Sequence, residues 1–209
     1  MRAPRATAPV VALAAAGAFA ASAGVARADI PEPPPKHWIG ASAVLVPSGT
    51  LTRSVLLGSQ EDSMAVAYGA GLVAERTILP NLSWMLAPRI LTNIRGADDG
   101  EGADSSTQLD LRLGMRAHAR LRPQIDVFGY GAGGYSIVFL PDDPGDDVYP
   151  QGLLVAAGLG LDYRWTGSTT VSLSLGYQLA FQEVEYEGGA VIYKDRLLDV
   201  TVGFLAALD

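Results

Sequence analysis

The sequence predicts an all-β protein: an eight-stranded, antiparallel, up-and-down transmembrane β-barrel that is preceded by a cleavable signal peptide. Three observations lead to this prediction. The N-terminus has the charge and hydropathy profile of an export signal. Apolar and polar side chains alternate through most of the chain after Trp38, and the segments that separate these stretches are long and short in turn.

The first 28 residues are predicted to be the signal peptide. Arg2 and Arg5 form a basic start, residues 8–24 are apolar or small and carry no charge, and Val25-Ala26-Arg27-Ala28 provides a small-x-small cleavage site after Ala28. A transmembrane anchor is the alternative, but the apolar run is borderline for a span of roughly 20 residues and is diluted by Ala and Gly. We therefore expect export through the Sec route.

The mature chain is expected to be acidic, and it has no cysteine. Removal of residues 1–28 takes away three of the 15 basic residues and none of the 22 acidic ones, which leaves a net charge of 12 − 22 = −10. Such a charge is a poor match for the phosphates of nucleic acid. An exported chain without disulfides is held together by its core, its hydrogen-bond ladder or the membrane.

A short Pro-rich segment, residues 29–36 with the sequence DIPEPPPK, follows the signal peptide. Proline cannot donate to a sheet ladder. We therefore interpret this segment as a periplasmic lead-in and place the barrel at residues 37–209.

The clearest alternation lies at Leu109–His118, where five apolar side chains occupy one face and Asp110, Arg112, Gly114, Arg116 and His118 occupy the other. A strand sends successive side chains to opposite faces, so this stretch has one apolar and one polar face. Eight such stretches are near the roughly 9–11 residues that cross a bilayer at a tilt. They are Trp38–Val46, Ala65–Ala74, Leu82–Arg95, Leu109–His118, Ile125–Phe139, Leu153–Arg164, Val171–Gln182 and Leu198–Leu208.

The connections between these strands alternate in length. The long ones are Pro47–Asp62, Gly96–Ser106, Leu140–Pro150 and Val184–Lys194, and the short ones are Glu75–Asn81, Arg120–Gln124 and Trp165–Ser168. Outer-membrane barrels have short periplasmic turns and longer outside loops. An even number of strands then places both termini on the periplasmic side.

Alternation alone does not say whether the apolar face points to lipid or to a core, as in a soluble lipocalin-like barrel. A soluble exterior is usually rich in Lys and Glu, whereas the two lysines, Lys36 and Lys194, both lie outside the predicted strands. The polar face is mostly small, which suits the narrow lumen of eight strands. We therefore predict apolar side chains outside and a polar network in the lumen, formed by Arg89, Asp110, Arg112, Arg116, Asp162 and Asp199, with Asp126 and Arg196 as further members.

The chain resembles the small outer-membrane β-barrel proteins of the OmpA/OmpX/OmpW-like eight-stranded class. The resemblance rests on Ala157-Gly-Leu-Gly-Leu-Asp-Tyr163, on Phe128-Gly-Tyr-Gly-Ala-Gly-Gly-Tyr135 and on the amphipathic last strand, and it covers Trp38 to Asp209. It implies residence among outer-membrane lipids and insertion by the barrel-assembly machinery, usually guided by a last strand that ends in an aromatic residue. This chain departs from that pattern, because its last aromatic residue, Phe204, stands five residues before the end.

No catalytic, cofactor or metal motif stands out. The two histidines, His37 and His118, are far apart in the sequence, no nucleophile-elbow pattern occurs, and His118 is expected to be an ordinary lumen residue. Hard cations take oxygen ligands from acidic loops, so a divalent cation at Asp142, Asp143, Asp146 and Asp147 is one hypothesis. Solvated, unliganded loops are the alternative, and the EF-hand spacing is absent.

The leading functional prediction is a non-enzymatic outer-membrane barrel with a structural or surface-interaction role, acidic extracellular loops and a lumen plugged by its polar side chains. One alternative is a narrow, porin-like pore or small-molecule route lined by Arg and Asp. The other is a soluble secreted barrel that binds a ligand inside.

Overall fold

The computed structural model describes residues 37–55, 58–64, 66–92, 106–139, 149–186 and 189–208. Nine β-strands make up nearly all of these residues, and no helix among them is long and apolar enough to cross a membrane. The strands are β1 (His37–Val55), β2 (Gly58–Ser63), β3 (Ala67–Leu79), β4 (Leu82–Thr92), β5 (Thr107–Arg122), β6 (Ile125–Phe139), β7 (Gln151–Thr166), β8 (Thr169–Tyr186) and β9 (Gly189–Leu208).

The strands close into a ring of eight positions. Each of β3 to β8 pairs antiparallel with the next strand along the chain, and β1 pairs with β9 to close the sheet. The first part of β1, up to Val46, pairs with β3, and its last part, from Thr50, pairs with β2. Because β2 and β3 follow each other along the same neighbour, they share one position in the ring. The predicted eight-stranded antiparallel barrel is confirmed.

The barrel has two different ends. At one end the strands are joined by two-residue turns at 80–81, 123–124 and 167–168, and His37 at the start of β1 pairs with Leu208 at the end of β9. We call this the turn end and the opposite end the loop end. The three connections that were predicted to be short are therefore short.

Two of the predicted long loops are wrong, because the chain there continues as paired strands. The barrel wall extends through a β1–β2 hairpin in place of a loop at Pro47–Asp62, and through the β8–β9 hairpin in place of a loop at Val184–Lys194. β-Branched and aromatic residues such as Val184, Val191 and Tyr193 fit a pleated sheet and favour this extension. Residues 93–105 and 140–148, and with them Asp142, Asp143, Asp146 and Asp147, lie outside the described residues, as do the predicted signal peptide and lead-in.

The apolar face of the strands points outward. Leu111 and Leu173 expose 52% and 48% of their side-chain surface, whereas Arg112, the neighbour of Leu111 on β5, exposes 6%. A soluble barrel would have the opposite arrangement, so this finding excludes the lipocalin-like alternative. The belt of large, exposed apolar side chains runs round the whole wall and includes Ile39, Leu45, Tyr68, Leu72, Ile90, Leu113, Tyr135, Leu153, Leu159, Leu175, Phe181, Val202 and Phe204.

Glycines on the inner face of β7 and β8 make room for aromatic rings inside this narrow barrel. A methyl group at Gly160 would overlap the ring of Phe128, and one at Gly158 or Gly176 would overlap Tyr130. Eight strands leave a lumen only just wide enough for side chains. The glycines of the Gly-rich strands therefore serve close packing across the lumen.

Candidate functional site in the barrel interior

The inner face of β5 sets out the polar residues of the interior in order. Reading from the loop end to the turn end, every second residue points inward, and Gln108, Asp110, Arg112, Arg116 and His118 follow one another along the bore. The alternation that defines the strand therefore also distributes positive and negative side chains along the barrel axis.

Midway along the bore, five side chains form the central cluster: Arg89, Asp110, Arg112, Gln178 and Asp199. Arg89 donates from Nε to Asp110 at 2.9 Å, from Nη1 to Asp199 at 2.9 Å and from Nη2 to the Gln178 carbonyl at 2.7 Å. Arg112 also donates to Gln178, and its Nη2 lies 3.4 Å from Asp199. Three separate parts of the wall, β4–β5, β8 and β9, are thereby tied together across the lumen.

The central cluster is buried and electrically balanced. Two guanidinium groups face two carboxylates, and Asp110 and Asp199 are 0% and 1% exposed. A buried ion keeps its charge at acceptable cost only if it is paired and its remaining lone pairs are hydrogen-bonded. Asp110 meets this condition, because it also accepts hydrogen bonds from Gln108 at 2.7 Å and from Gln178 at 3.1 Å.

Nearer the turn end, Arg116 is the centre of a second cluster. It donates to Glu75 on β3, to Asp162 on β7 at 2.7 Å and to Ser172 on β8 at 3.0 Å. Its guanidinium carbon lies 3.4 Å from the centre of the Phe128 ring, so the cation also rests on an aromatic face. We call these five residues the Arg116 cluster.

Two further contacts continue the network toward the turn end. His118 Nδ1 is 3.6 Å from Asp162, and its ring lies against Phe128. Asp126 pairs with Arg164 at 2.6 Å and with Arg120 at 3.3 Å. Positive and negative side chains therefore alternate from the middle of the barrel to its turn-end rim.

On the loop-end side of the central cluster, two apolar clusters share the interior with buried polar side chains, among them Ser136, Gln182 and Asp195. One buried cluster joins Val44, Val46, Ala67, Leu91 and Leu197, with Met64 packed against it. A second joins Val184, Val191 and Tyr193, with Leu51 beside it. The order of Val191, Tyr193, Leu197 and Asp199 along β9 places both clusters between the central ion pairs and the loop end.

A small cavity of about 90 Å³ remains between the central cluster and the Arg116 cluster. It is lined by Arg112, Arg116, Met85, Phe128 and Tyr130, and the Nε atoms of both arginines have no hydrogen-bond partner among the described residues. A space of this size with two arginines in its lining suits one or more bound water molecules or a small polar ligand.

Beside the same cavity the backbone pairing between β3 and β4 is interrupted, and we call this interruption the gap in the wall. Gly71 pairs with Arg89 and Ala74 with Leu86, but Leu72 and Val73 between them are not paired to β4, although the register is the same on both sides. Pro88 stands opposite Leu72 and has no N–H to donate, which accounts for the interruption. Leu72 and Pro88 both line the cavity.

The structure places all six residues of the predicted lumen network inside the barrel and divides them between two groups. Arg89, Asp110, Arg112 and Asp199 belong to the central cluster, and Arg116 and Asp162 belong to the Arg116 cluster. Asp126 lies inside as well. Arg196 does not, because its partner in the register is Leu179, which belongs to the outward set of β8.

Sequence reasoning misplaced two charged residues, one of the interior and one of the outer wall. Glu75 was assigned to a turn, but β3 continues to Leu79 and buries Glu75 against Arg116. The outward run Leu72, Ala74, Arg76 and Ile78 could have revealed this extension. Lys194 was assigned to a loop, yet it lies within β9, so the argument that the strands contain no lysine was wrong in this detail.

Among the residues that the structure describes, no group of three or more His, Asp or Glu side chains has the geometry of a metal site. His118 is engaged by Asp162 and Phe128. The charged side chains of the central cluster and of the Arg116 cluster are hydrogen-bonded to one another.

Solved structures with similar folds are outer-membrane barrels. Neisserial surface protein A superposes with a TM-score of 0.58 at 12% sequence identity, over 82% of this chain and 97% of that protein. The outer membrane protein OprG from Pseudomonas aeruginosa gives a TM-score of 0.58 at 14% identity, over 85% and 97%. No protein-family model matches the sequence, and neither does any curated protein. The likeness establishes the fold, that of small outer-membrane β-barrels.

Proposed function

We propose that this chain is a closed, non-enzymatic outer-membrane barrel whose filled interior supports a surface of hairpins and acidic loops at the loop end. The observation that carries this proposal is the charge-balanced central cluster, which ties β4, β5, β8 and β9 together across the bore. Ion conduction needs a water path lined by polar groups that release their ion easily. Guanidinium groups paired with carboxylates, followed by apolar clusters, are a poor lining for such a path.

Planar-bilayer recording from the full mature chain tests closure. The wild type is expected to give a flat baseline, and a variant that removes two crossing side chains, Arg89→Ala with Gln178→Ala, is expected to give conductance steps. The outward substitution Leu113→Ala is the matched control and should leave the baseline flat. Regular, ion-selective steps from the wild type would contradict closure and favour the pore.

The orientation of the two ends can be tested separately, because the chain has no cysteine. A single cysteine at Glu185, in the β8–β9 hairpin, should react with a membrane-impermeant maleimide on intact cells. A single cysteine at Gly167, in a turn at the other end, should react only after the outer membrane is opened. The reverse pattern would contradict a loop end that faces the medium.

The gap in the wall at Pro88 favours a second candidate function: a side route between the cavity and the bilayer for a small molecule. The cavity lining combines apolar residues with the side chains of Arg112 and Arg116, which suits a small apolar compound with one acceptor group. In a closed sheet every backbone group is satisfied within the wall, so an interruption is a feature that the barrel fold does not require.

A substitution that repairs the wall tests this route. Pro88→Val restores an N–H opposite Leu72, and uptake of a fluorescent naphthylamine by cells that produce the variant should fall to that of cells without the protein. Leu111→Val, on the neighbouring strand and equally outward, is the control. Uptake that is the same for the wild type and Pro88→Val would exclude the route.

A further inference from the structure

The outer surface of the barrel carries two positive charges at one place on β9. Lys194 and Arg196 are alternate residues of this strand, and the register pairs them with Phe181 and Leu179, which belong to the outward set of β8. On the other side they pair with Thr52 and Thr50 of β1. Both cations therefore lie on the outer wall, in two adjacent rows of the sheet.

Lys194 and Arg196 lie at the loop-end boundary of the apolar belt. On β1 the outward residues change from Ile39, Ala41, Ala43 and Leu45 to Ser48, Thr50, Thr52 and Ser54. On β8 they change from Leu179 and Phe181 to Glu183 and Glu185. On β9, Lys194 and Arg196 are the outward residues at this height, between Leu198 on the turn-end side and Ile192 on the loop-end side.

The height of the apolar belt also places Lys194 at the boundary of the belt. Phe204 and Lys194 are both outward on β9 and are ten residues apart, which is roughly 33 Å along a strand. At the tilt of about 40° that eight-stranded barrels have, this corresponds to about 25 Å along the axis, the usual height of the apolar band. Lys194 thus lies at the level where hydrocarbon gives way to lipid headgroups.

Neither cation is neutralised within the described part of the protein. No ion pair joins Lys194 or Arg196 to a carboxylate there. The Lys194 ammonium nitrogen lies over the Phe181 ring, 5.2 Å from its centre. Glu61 and Glu183 are the nearest carboxylates by register, in line with and diagonal to Lys194. A cation on the lipid face is costly in hydrocarbon and tolerated at the interface.

We propose that Lys194 and Arg196 form a binding site for the phosphate groups of a phosphorylated glycolipid of the outer leaflet, of the lipid A type. The two side chains, about 7 Å apart along the strand, supply positive charge at headgroup height, and Phe181 and Leu179 beside them contact the acyl chains. A glycolipid is chosen over a phospholipid because the site lies at the loop end. The inference rests on the proposed outward orientation of that end.

The test uses the full mature protein, folded in detergent, and native mass spectrometry. One sample receives bisphosphorylated lipid A, a second receives dephosphorylated lipid A and a third receives phosphatidylglycerol. The wild type should retain the bisphosphorylated form best, with an advantage over the dephosphorylated form of about 30-fold if each cation contributes as it does near an anionic membrane surface.

Lys194→Gln with Arg196→Gln should abolish this preference, and each single substitution should reduce it by about fivefold. The matched control is Arg76→Gln with Arg122→Gln, which removes the same charge from exposed positions at the turn end and should leave the preference intact. Heat-modifiable gel migration verifies that each variant is folded. If the double variant does not fold, the two single variants provide the test.

Three results would overturn the site: equal retention of both lipid A forms by the wild type, equal loss in the control variant, or phosphatidylglycerol retained as strongly as lipid A. A wrong orientation would be recognised separately, from the labelling of cysteine at residues 185 and 167.

Discussion

Arg89 and Asp199 are 110 residues apart in the chain, yet their charged atoms meet inside the barrel at 2.9 Å. The two residues lie on β4 and β9, which are not neighbours in the ring. Their contact therefore spans the lumen, and with the Arg89–Gln178 bond it holds opposite parts of the wall at a fixed distance.

Replacement of Arg89 by Met should destabilise the barrel strongly. The variant keeps a side chain of similar length but leaves Asp110 and Asp199 to share Arg112 alone, and breaking a buried ion pair by removing one partner costs about 3–5 kcal/mol. Urea unfolding in detergent, followed by heat-modifiable gel migration, measures the change. Arg122→Met, at the exposed turn end, is the control.

The double variant Arg89→Met with Asp199→Asn should recover part of the lost stability. An Arg89→Met variant as stable as the wild type would contradict the structural role of the central cluster.

Substitution of Gly160 by Ala should destabilise the protein by about 1–3 kcal/mol, the usual cost of overpacking. The added methyl group would overlap the Phe128 ring, on which Arg116 also rests. Gly131→Ala is the matched control, because a methyl group there meets no atom within 4 Å. The same urea titration should show a shift for Gly160→Ala and none for Gly131→Ala. Partial rescue by Phe128→Leu would identify the ring as the cause, and its absence would point to the backbone instead.

The contact of the outer face with lipid can be tested by placing one positive charge at two different heights along β5. Leu113→Arg, near the middle of β5, should cost about 2–4 kcal/mol, whereas Leu121→Arg at the turn end should cost about 0–1 kcal/mol. Both leucines are well exposed in the structure, at 60% and 63%, so a barrel surrounded by water would tolerate both changes equally. Unfolding free energies in phospholipid vesicles provide the comparison, and equal values would contradict a membrane-embedded belt.

The β8–β9 hairpin at the loop end should depend on the apolar contacts of Tyr193. Tyr193→Ala removes the ring that packs with Val184, Val191 and Leu51, so the amide hydrogens of the hairpin should exchange faster. Those of β5 and β6 should remain protected, because the central cluster is untouched. Hydrogen-exchange mass spectrometry measures both regions. Ile192→Ala, outward and exposed on the same hairpin, is the control, and equal acceleration by both substitutions would show that the cluster is not what orders it.

Much of the fold could be predicted from the sequence because a period of two is a local property. Leu111 and Arg112 are neighbours, and a strand separates their side chains whatever surrounds it. The alternation is hardest to recognise where Ala and Gly reduce the contrast, whereas the extension of β3 through Glu75 is hidden because two adjacent charged residues, Glu75 and Arg76, interrupt the alternation. The hairpins at Pro47–Asp62 and Val184–Lys194 were taken for loops because their turn-forming and acidic residues are common to loops and exposed strands.

The residues of the interior could be selected from the sequence, but their partners could not. Which carboxylate meets which guanidinium depends on the stagger of the strands around the ring, a quantity that no single strand encodes. For this reason the sequence did not single out Gln178, although it contacts both Arg89 and Arg112.

By itself the sequence determined that the strands have one apolar and one polar face, that their connections at one end are short and that the mature chain is acidic. Only the tertiary structure decided that Arg89 reaches Asp199, that Lys194 and Arg196 stand side by side on the outer wall, and that the wall is interrupted at Pro88. The physical reason is that the face of a side chain follows from neighbours along the chain, whereas its contacts follow from the register and closure of the whole sheet.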